Sequence, residues 1–139
     1  MTFIDDYSRF VWIYFLRSKA DVFSVFQNFV AFVENQFSTY IKTLRSDSRG
    51  EYMSNDFQSY LRMKGILPQR SCPYTPQQNG IAERKNRHLL DVVRTLLIDS
   101  SVPPRFWVVA LSTAVYLLNR LSSQAVSYTH LTLPTICSV

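Results

Sequence analysis

Seven consecutive apolar residues, Phe10 to Leu16, constrain the fold of this chain more than any other stretch. The run is far too short to cross a bilayer. It is rich in aromatic and β-branched side chains and therefore reads as a strand. Alternation puts Phe10, Trp12, Tyr14 and Leu16 on one face and Val11, Ile13 and Phe15 on the other. Both faces are apolar, so the strand must be covered on both sides. The next segment supplies one cover. From Ser18 to Phe37, Val22, Phe23, Phe26, Phe29, Val30, Val33 and Phe37 recur at three- and four-residue steps, the pattern of an amphipathic helix. Ser18 fits its N-cap, with Asp21 three residues on as a weak capping box. The phenylalanine stripe reads as core packing against a sheet.

The remaining elements fit one α/β domain. Met1 to Ile4 ends a strand, and Asp5 to Arg9 is a turn in which Asp and Ser bond neighbouring backbone groups. Asp5 and Asp6 are therefore turn residues rather than catalysts. Tyr40 to Arg45 is a short strand, with Asp47 just past its end. Ser54 caps a short helix carrying Phe57, Tyr60 and Leu61, and Gly65 closes it. Ile66 to Ser71 is a further strand. Pro73 and Pro76 exclude a continuous helix, so Pro73 to Asn79 is a loop with Gly80 as its hinge. Ile81 to Ile98 is a helix with Leu89, Leu90, Val93, Leu96 and Leu97 as its buried stripe. Pro103 opens a last helix whose Phe106, Trp107, Ala110, Ala114, Leu117 and Leu118 pack on the core or on a partner subunit.

Charge narrows the partner. The chain carries a net charge of +5, and Arg84, Lys85, Arg87 and His88 crowd directly behind Glu83. Such a balance fits a polyanion. The chain has two cysteines, without a CxxC or His-Cys cluster, so neither a zinc site nor a disulfide framework is expected. No signal peptide or spanning segment is visible, which predicts a soluble intracellular protein in a reducing compartment.

Asp47 and Glu83 are separated by 35 residues, 48 to 82. One follows a strand and the other opens a helix, in a basic chain. Hard carboxylate oxygens suit Mg²⁺, which takes one or two protein carboxylates with substrate phosphate and water. Most acid pairs are solvated surface groups, so spacing alone does not choose between these readings. Glu51 is a further acid nearby, better explained as a structural or surface residue. Gln77, Gln78 and Asn79 offer amides to nucleic-acid backbone or bases, or form a solvated polar loop. Arg87, four residues after Glu83, either contacts phosphate or pairs with that glutamate on the helix surface.

Resemblance separates these alternatives. The words "FIDDYSRFVWIYFL", "LRSDSRGEY" and "GILPQRSCPYTPQQNGIAERKNRHLLDVVRTLL" are similar to the retroviral-type integrase core of copia-type LTR retrotransposons, and together they span roughly residues 3 to 121. That family has two aspartates and a glutamate, with 35 residues between the second aspartate and the glutamate. The resemblance implies an RNase H-like mixed sheet flanked by helices, with Asp47 and Glu83 as catalytic metal ligands for Mg²⁺ or Mn²⁺. It implies double-stranded DNA as partner, with Gln77, Gln78, Asn79, Arg84, Lys85 and Arg87 as DNA contacts. It further implies 3′-end processing and strand transfer, a homo-oligomer in the full-length protein, no membrane, and work in the nucleus after assembly in a cytoplasmic virus-like particle of a plant host.

Three departures accompany it. The family's first aspartate lies on a strand expected before Met1, so the fold is expected to be incomplete at its N-terminus, marginally stable, and catalytically inactive alone. Without that central strand the hairpin would lose its link to the strands around Asp47. Ser48-Arg49 stands where the family has Asn-Gly. After Ala125 the family pattern stops, and residues 126–139 resemble a translated sequencing adaptor, leaving 1–125 as the core fragment. The competing function is an inactive RNase H-like module that still binds DNA or dimerises. A different RNase H-like nuclease is disfavoured by the Gln-Gln-Asn-Gly-Ile-Ala-Glu-Arg word.

Overall fold

The computed structural model describes residues 1–46, 50–70, 80–121 and 135–138. A hairpin opens the fold. β1 (Thr2–Asp5) pairs antiparallel with β2 (Val11–Ile13), Thr2 opposite Ile13 and Ile4 opposite Val11. The sequence predicts a longer second strand, Phe10 to Leu16. The regular ladder stops where β1 stops offering partners, and a single further bond, Tyr14 N–H to the Met1 carbonyl at 2.8 Å, extends it. The alternation holds: Trp12, Tyr14 and Leu16 pack on one side of the sheet, Val11 and Ile13 on the other. Phe10 and Phe15, expected to be covered, are exposed and lean on Trp12 and Trp107.

A 3-10 turn, Lys19–Asp21, leads into α1 (Val22–Phe37). The expected capping box forms. Ser18 Oγ accepts from Ala20 N at 3.0 Å, and Asp21 Oδ2 accepts from Ser18 N at 3.0 Å. Val22, Phe26, Phe29, Val30 and Val33 are buried, whereas Phe37, at the helix end, is exposed.

β3 (Thr43–Ser46) starts later than Tyr40, at the residue where its neighbour begins to pair, Thr43 opposite Leu67. α2 (Asn55–Lys64) is bounded as its sequence dictates. Ser54 Oγ accepts from Phe57 N at 3.3 Å, and Gly65 takes a left-handed φ of 68° that a side chain would resist. β4 (Leu67–Arg70) runs parallel to β3 and forms the sheet edge, the place where Pro68 is tolerated.

α3 (Gly80–Asp99) takes Gly80 as its first residue, not as a hinge before it. Its stripe is buried at Leu89 and Val93 and half-buried at Leu96 and Leu97, but Leu90 is exposed. A 3-10 turn, Pro104–Phe106, directly after Pro103, starts α4 (Trp107–Leu118). α4 buries Ala110, Ala114, Val115 and Leu118, while Phe106, Trp107 and Leu117, expected to pack on the core or on a partner subunit, are exposed within the chain. Small residues meet α3 because they allow close helix approach, which turns the large ones outward.

The strand order is β2-β1-β5-β3-β4, with β5 (Thr135–Ser138) at the centre. β5 pairs antiparallel with β1 and parallel with β3. The hairpin is thus joined to the β3–β4 pair, contrary to the expectation of an unlinked hairpin. One core packs α1 and α2 on the side of Phe3 and Leu44, and a second packs α3 and α4 on the side of Ile4 and Val11.

Candidate functional site

Glu83 stands in the first turn of α3, exposed to solvent. Arg84 and Arg87 beside it are exposed as well, and Lys85 is half-buried. The helix forms here because Ala82 is fully buried against the second core and Leu89 and Val93 continue the same face, leaving the charged positions outward. Glu83 and Arg87 do not pair with each other. Among the described residues, neither they nor Arg84 and Lys85 have any hydrogen bond or ion pair. An unpaired carboxylate followed by unpaired cations is open to a metal ion and to phosphates.

Ser46 is buried at the end of β3. Asp47, the residue after it, lies outside the described residues, as do Ser48 and Arg49, the loop at Pro73 to Asn79 with Gln77, Gln78 and Asn79, and residues 126–134 of the tail. The donor set of Asp47 and Glu83 is two hard carboxylates, which suits Mg²⁺ or Mn²⁺. Among the described residues no three His, Cys, Asp or Glu side chains come together.

The hairpin tip carries the turn chemistry read from the sequence. Asp5 Oδ2 accepts from Ser8 N at 2.8 Å and from Ser8 Oγ at 2.6 Å. Asp5 N donates to the Phe10 carbonyl at 3.0 Å, and Arg9 N donates to the Asp5 carbonyl at 2.9 Å. Arg9 closes the turn with φ of 60°, left-handed backbone that an ordinary side chain adopts at a cost of about 1 kcal/mol.

The structure also gathers charges that sequence reading keeps apart. Arg9 Nη1 meets Asp6 Oδ1 at 2.6 Å, and Arg45 Nη1 lies 3.8 Å from Asp6 Oδ2. Arg45 also donates through Nε and Nη2 to Gln69 Oε1, at 3.3 and 3.2 Å, across the β3–β4 pair. Lys85, on α3, feels the charge of Arg9. Its ammonium is held below the usual lysine value, first by burial and then by the like charge of Arg9. No sequence signal announces the cluster, because its members come from a turn, a strand and a helix. The alternation of β3, with Leu44 in the first core, does place Arg45 on the α3 side.

Asn119 is a second group that sequence reading passed over. At the end of α4 it accepts from Val11 N at 2.8 Å and donates to the Val11 carbonyl at 2.8 Å, satisfying the outer edge of β2 as a neighbouring strand would.

Comparison with known proteins places these features. Residues 1–76 match the integrase core domain family. The chain is 45% identical over 128 residues to the retrovirus-related Pol polyprotein from transposon TNT 1-94 of Nicotiana tabacum, covering 92% of this chain and 10% of that protein. It is 44% identical over 119 residues to the Pol polyprotein from transposon RE2 of Arabidopsis thaliana, covering 86% of this chain and 8% of that one. The chain therefore spans about a tenth of the length of these curated relatives. Its fold is similar to the HTLV-2 integrase catalytic core domain solved in complex with magnesium, with a TM-score of 0.62 at 18% identity, over 85% of this chain and 71% of that one.

Proposed function

The chain belongs to the integrase core domain family, and we propose that it is part of a retrotransposon integrase that inserts element DNA into host DNA by metal-dependent 3′-end processing and strand transfer. The observation that carries this reading is the first turn of α3. Glu83 presents an exposed carboxylate there, and neither it nor Arg84, Lys85 and Arg87 behind it has a hydrogen bond or ion pair among the described residues. Asp47 and Glu83 would hold Mg²⁺ or Mn²⁺, a reading supported by the magnesium in the HTLV-2 core. When bound, such an ion supplies Lewis-acid stabilisation of the charge that develops on phosphoryl oxygens.

The chain's own cations do the binding. Arg84, Lys85 and Arg87 neutralise phosphates of double-stranded DNA, giving salt-dependent and mostly sequence-tolerant affinity. Gln77, Gln78 and Asn79 add amide contacts to backbone or bases. The outer face of α4, with Val109, Tyr116 and Leu117 exposed, supports a homo-oligomer. Among the described residues no helix is long and apolar enough to cross a membrane. Integration places the working protein in the nucleus after assembly in a cytoplasmic virus-like particle, and the plant relatives support a plant host.

One observation favours a second reading, a DNA-binding or dimerising module without catalysis. The strand at the sheet centre, Thr135–Ser138, carries no carboxylate. Strand transfer and duplex binding, measured on the same chain with Mg²⁺ or Mn²⁺, separate the two. Integration predicts strand transfer that Asp47→Asn and Glu83→Gln each abolish, while duplex affinity stays within about twofold. Duplex binding without strand transfer would leave the binding module. Activity retained in either variant would remove that carboxylate from the metal site.

A further inference from the structure

The turn end of the β1–β2 hairpin is not covered by α1. The helix stops at Phe37, where Ser38 takes a left-handed φ of 49° and turns the chain off the helix axis. A cavity of about 380 Å³ lies between the hairpin and this helix end. Strand alternation decides its walls. Phe3 enters the first core, so Asp5, two residues on, faces the same side of the sheet, as do Phe10 and Trp12 across the hairpin. The aromatic walls are Phe10, Trp12 and Phe37. Phe10 meets Trp12 at 4.8 Å and 51°, and Trp12 meets Phe37 at 6.4 Å and 77°, so the three rings turn their planes in different directions. Phe10 and Phe37 are 40% and 54% exposed, which leaves ring surface free for an occupant.

The polar supply is small. It consists of Asp5, Ser8 and Thr39. Ser8 Oγ is already committed, donating to Asp5 Oδ2 at 2.6 Å and accepting from Phe10 N at 3.2 Å. Asp5 Oδ2 also accepts from Ser8 N at 2.8 Å, whereas Asp5 Oδ1 has no hydrogen bond among the described residues. No lysine, arginine or histidine lines the cavity, and Arg9, the cation of the turn, is held by Asp6 at 2.6 Å. An occupant thus meets aromatic faces, one carboxylate charge and few acceptors. An ammonium brings three N–H donors and a guanidinium five, more than one carboxylate oxygen and a threonine hydroxyl can satisfy. A cation without N–H groups fits better, because the rings and the carboxylate attract it and no donor is left unmatched.

We propose that this cavity binds a trimethylated lysine side chain of a partner protein. The volume exceeds that of the ammonium head, so the apolar stem is taken in as well. Tyr7 and Tyr40, 39% and 70% exposed, adjoin lining residues in the chain and offer surface to the peptide that carries the side chain. The site lies on the α1 face of the sheet, opposite α3, and does not depend on the joining of DNA.

The test is the affinity of the full chain for a fluorescein-labelled glycine–serine peptide with one central trimethyllysine, read by anisotropy. This peptide should bind at least about threefold more tightly than the same peptide with unmodified lysine, or with a neutral isostere in which carbon replaces the ammonium nitrogen. Asp5→Asn should weaken the trimethyllysine peptide about three- to tenfold and leave the neutral isostere unchanged. Asparagine keeps an acceptor for Ser8, so the turn keeps its shape. Phe37→Ala should weaken binding by a similar factor, with an unchanged melting temperature because the ring is more than half exposed. Equal affinity for the charged peptide and its neutral isostere would reveal an apolar slot and overturn the cation site. Tighter binding of unmodified lysine, no binding by the wild-type chain, or wild-type affinity in both variants would overturn it too. Choline chloride should compete only far above the dissociation constant of the peptide. Equal potency would assign the cavity to a free quaternary ammonium and overturn the side chain as its occupant.

Discussion

The two faces of the sheet are built from different materials. On the α1–α2 face the core is aromatic. Phe3 stacks on Phe29 with ring centroids 4.1 Å apart, Phe26 stacks on Phe57 at 4.9 Å, and Trp12 and Tyr14 meet Phe29 edge-on at 5.4 and 6.0 Å. On the α3–α4 face the buried residues are aliphatic or small: Ile4, Val11, Ala82, Leu89, Val93, Ala110, Ala114, Val115 and Leu118. The polar groups divide in the same way. Ser18 caps the 3-10 turn that leads into α1, Ser54 caps α2, and the Lys64–Glu34 pair ties the two helices together. Glu83, Arg84, Lys85 and Arg87 at the start of α3 have no hydrogen bond or ion pair among the described residues, and α4 exposes large apolar side chains. The first face carries caps and an inter-helix ion pair, and the second carries charged groups at the start of α3 that have no partner among the described residues.

The sharpest way to break this comparison is Phe29→Ala. Phe29 is fully buried and meets the rings of Phe3, Trp12, Tyr14 and Phe32. Truncation removes its transfer free energy and leaves a cavity, so the expected loss is about 3–5 kcal/mol by chemical denaturation. Leu89→Ala on the other face should lose about 2–5 kcal/mol, toward the lower end because Leu89 is surrounded by smaller groups that close over the gap. A larger loss at Leu89 than at Phe29 would reverse the assignment of the two faces.

Asn119→Ala comes next in size. It leaves the Val11 N–H and carbonyl at the outer edge of β2 without their amide partner. The group is half-buried, so the expected cost is about 1–3 kcal/mol. Hydrogen exchange gives the finer readout: Val11 N–H should lose protection while amides in α2 keep theirs. Equal loss in both places would mean that α4 is not docked through this one side chain.

Much of this arrangement was legible in the sequence, and the parts that were not have physical reasons. The caps at Ser18 and Ser54, the Gly65 stop and the hairpin turn rest on interactions within four or so residues, which local chemistry specifies. The two-sided strand was legible because every residue from Phe10 to Leu16 is apolar. Its ends were not, since a strand ends where its partner does, and that is a property of pairing. Phe106, Trp107 and Leu117 were assigned on hydropathy to the core or to a partner subunit. The structure buries Ala110 and Ala114 instead, because helix contact selects for fit as well as for apolarity. Glu83 and its basic neighbours were legible as a local word. The group of Asp6, Arg9, Arg45 and Lys85 was invisible because its members are brought together only by the fold. The central position of Thr135–Ser138 was also missed, because residues 126–139 were set apart as adaptor-like and a four-residue strand depends wholly on the β1 and β3 edges beside it.

The smallest expected effect concerns the tie between α1 and α2. Lys64 Nζ donates to Glu34 Oε1 and Oε2 at 3.0 and 2.9 Å. The hydrogen bond to Glu34 is the main reason that the ammonium titrates above its ordinary value of 10.5. A lysine whose folded value is raised stabilises the fold at pH below the unfolded value and loses that contribution as pH climbs through the folded one. Wild type should therefore melt slightly above Lys64→Met at neutral pH, and the gap should close above about pH 10.5, where the unfolded lysine begins to deprotonate. Tyr60 complicates the same window. Burial raises its phenol above the ordinary value of 10.0, so its ionisation also favours the unfolded chain as pH rises. Tyr60→Phe removes that second slope. Burial raises the Tyr14 phenol as well, so the readout in a Tyr60→Phe background is the gap between Lys64 and Lys64→Met, and a gap that stays constant across the window would show that the ion pair is not its source.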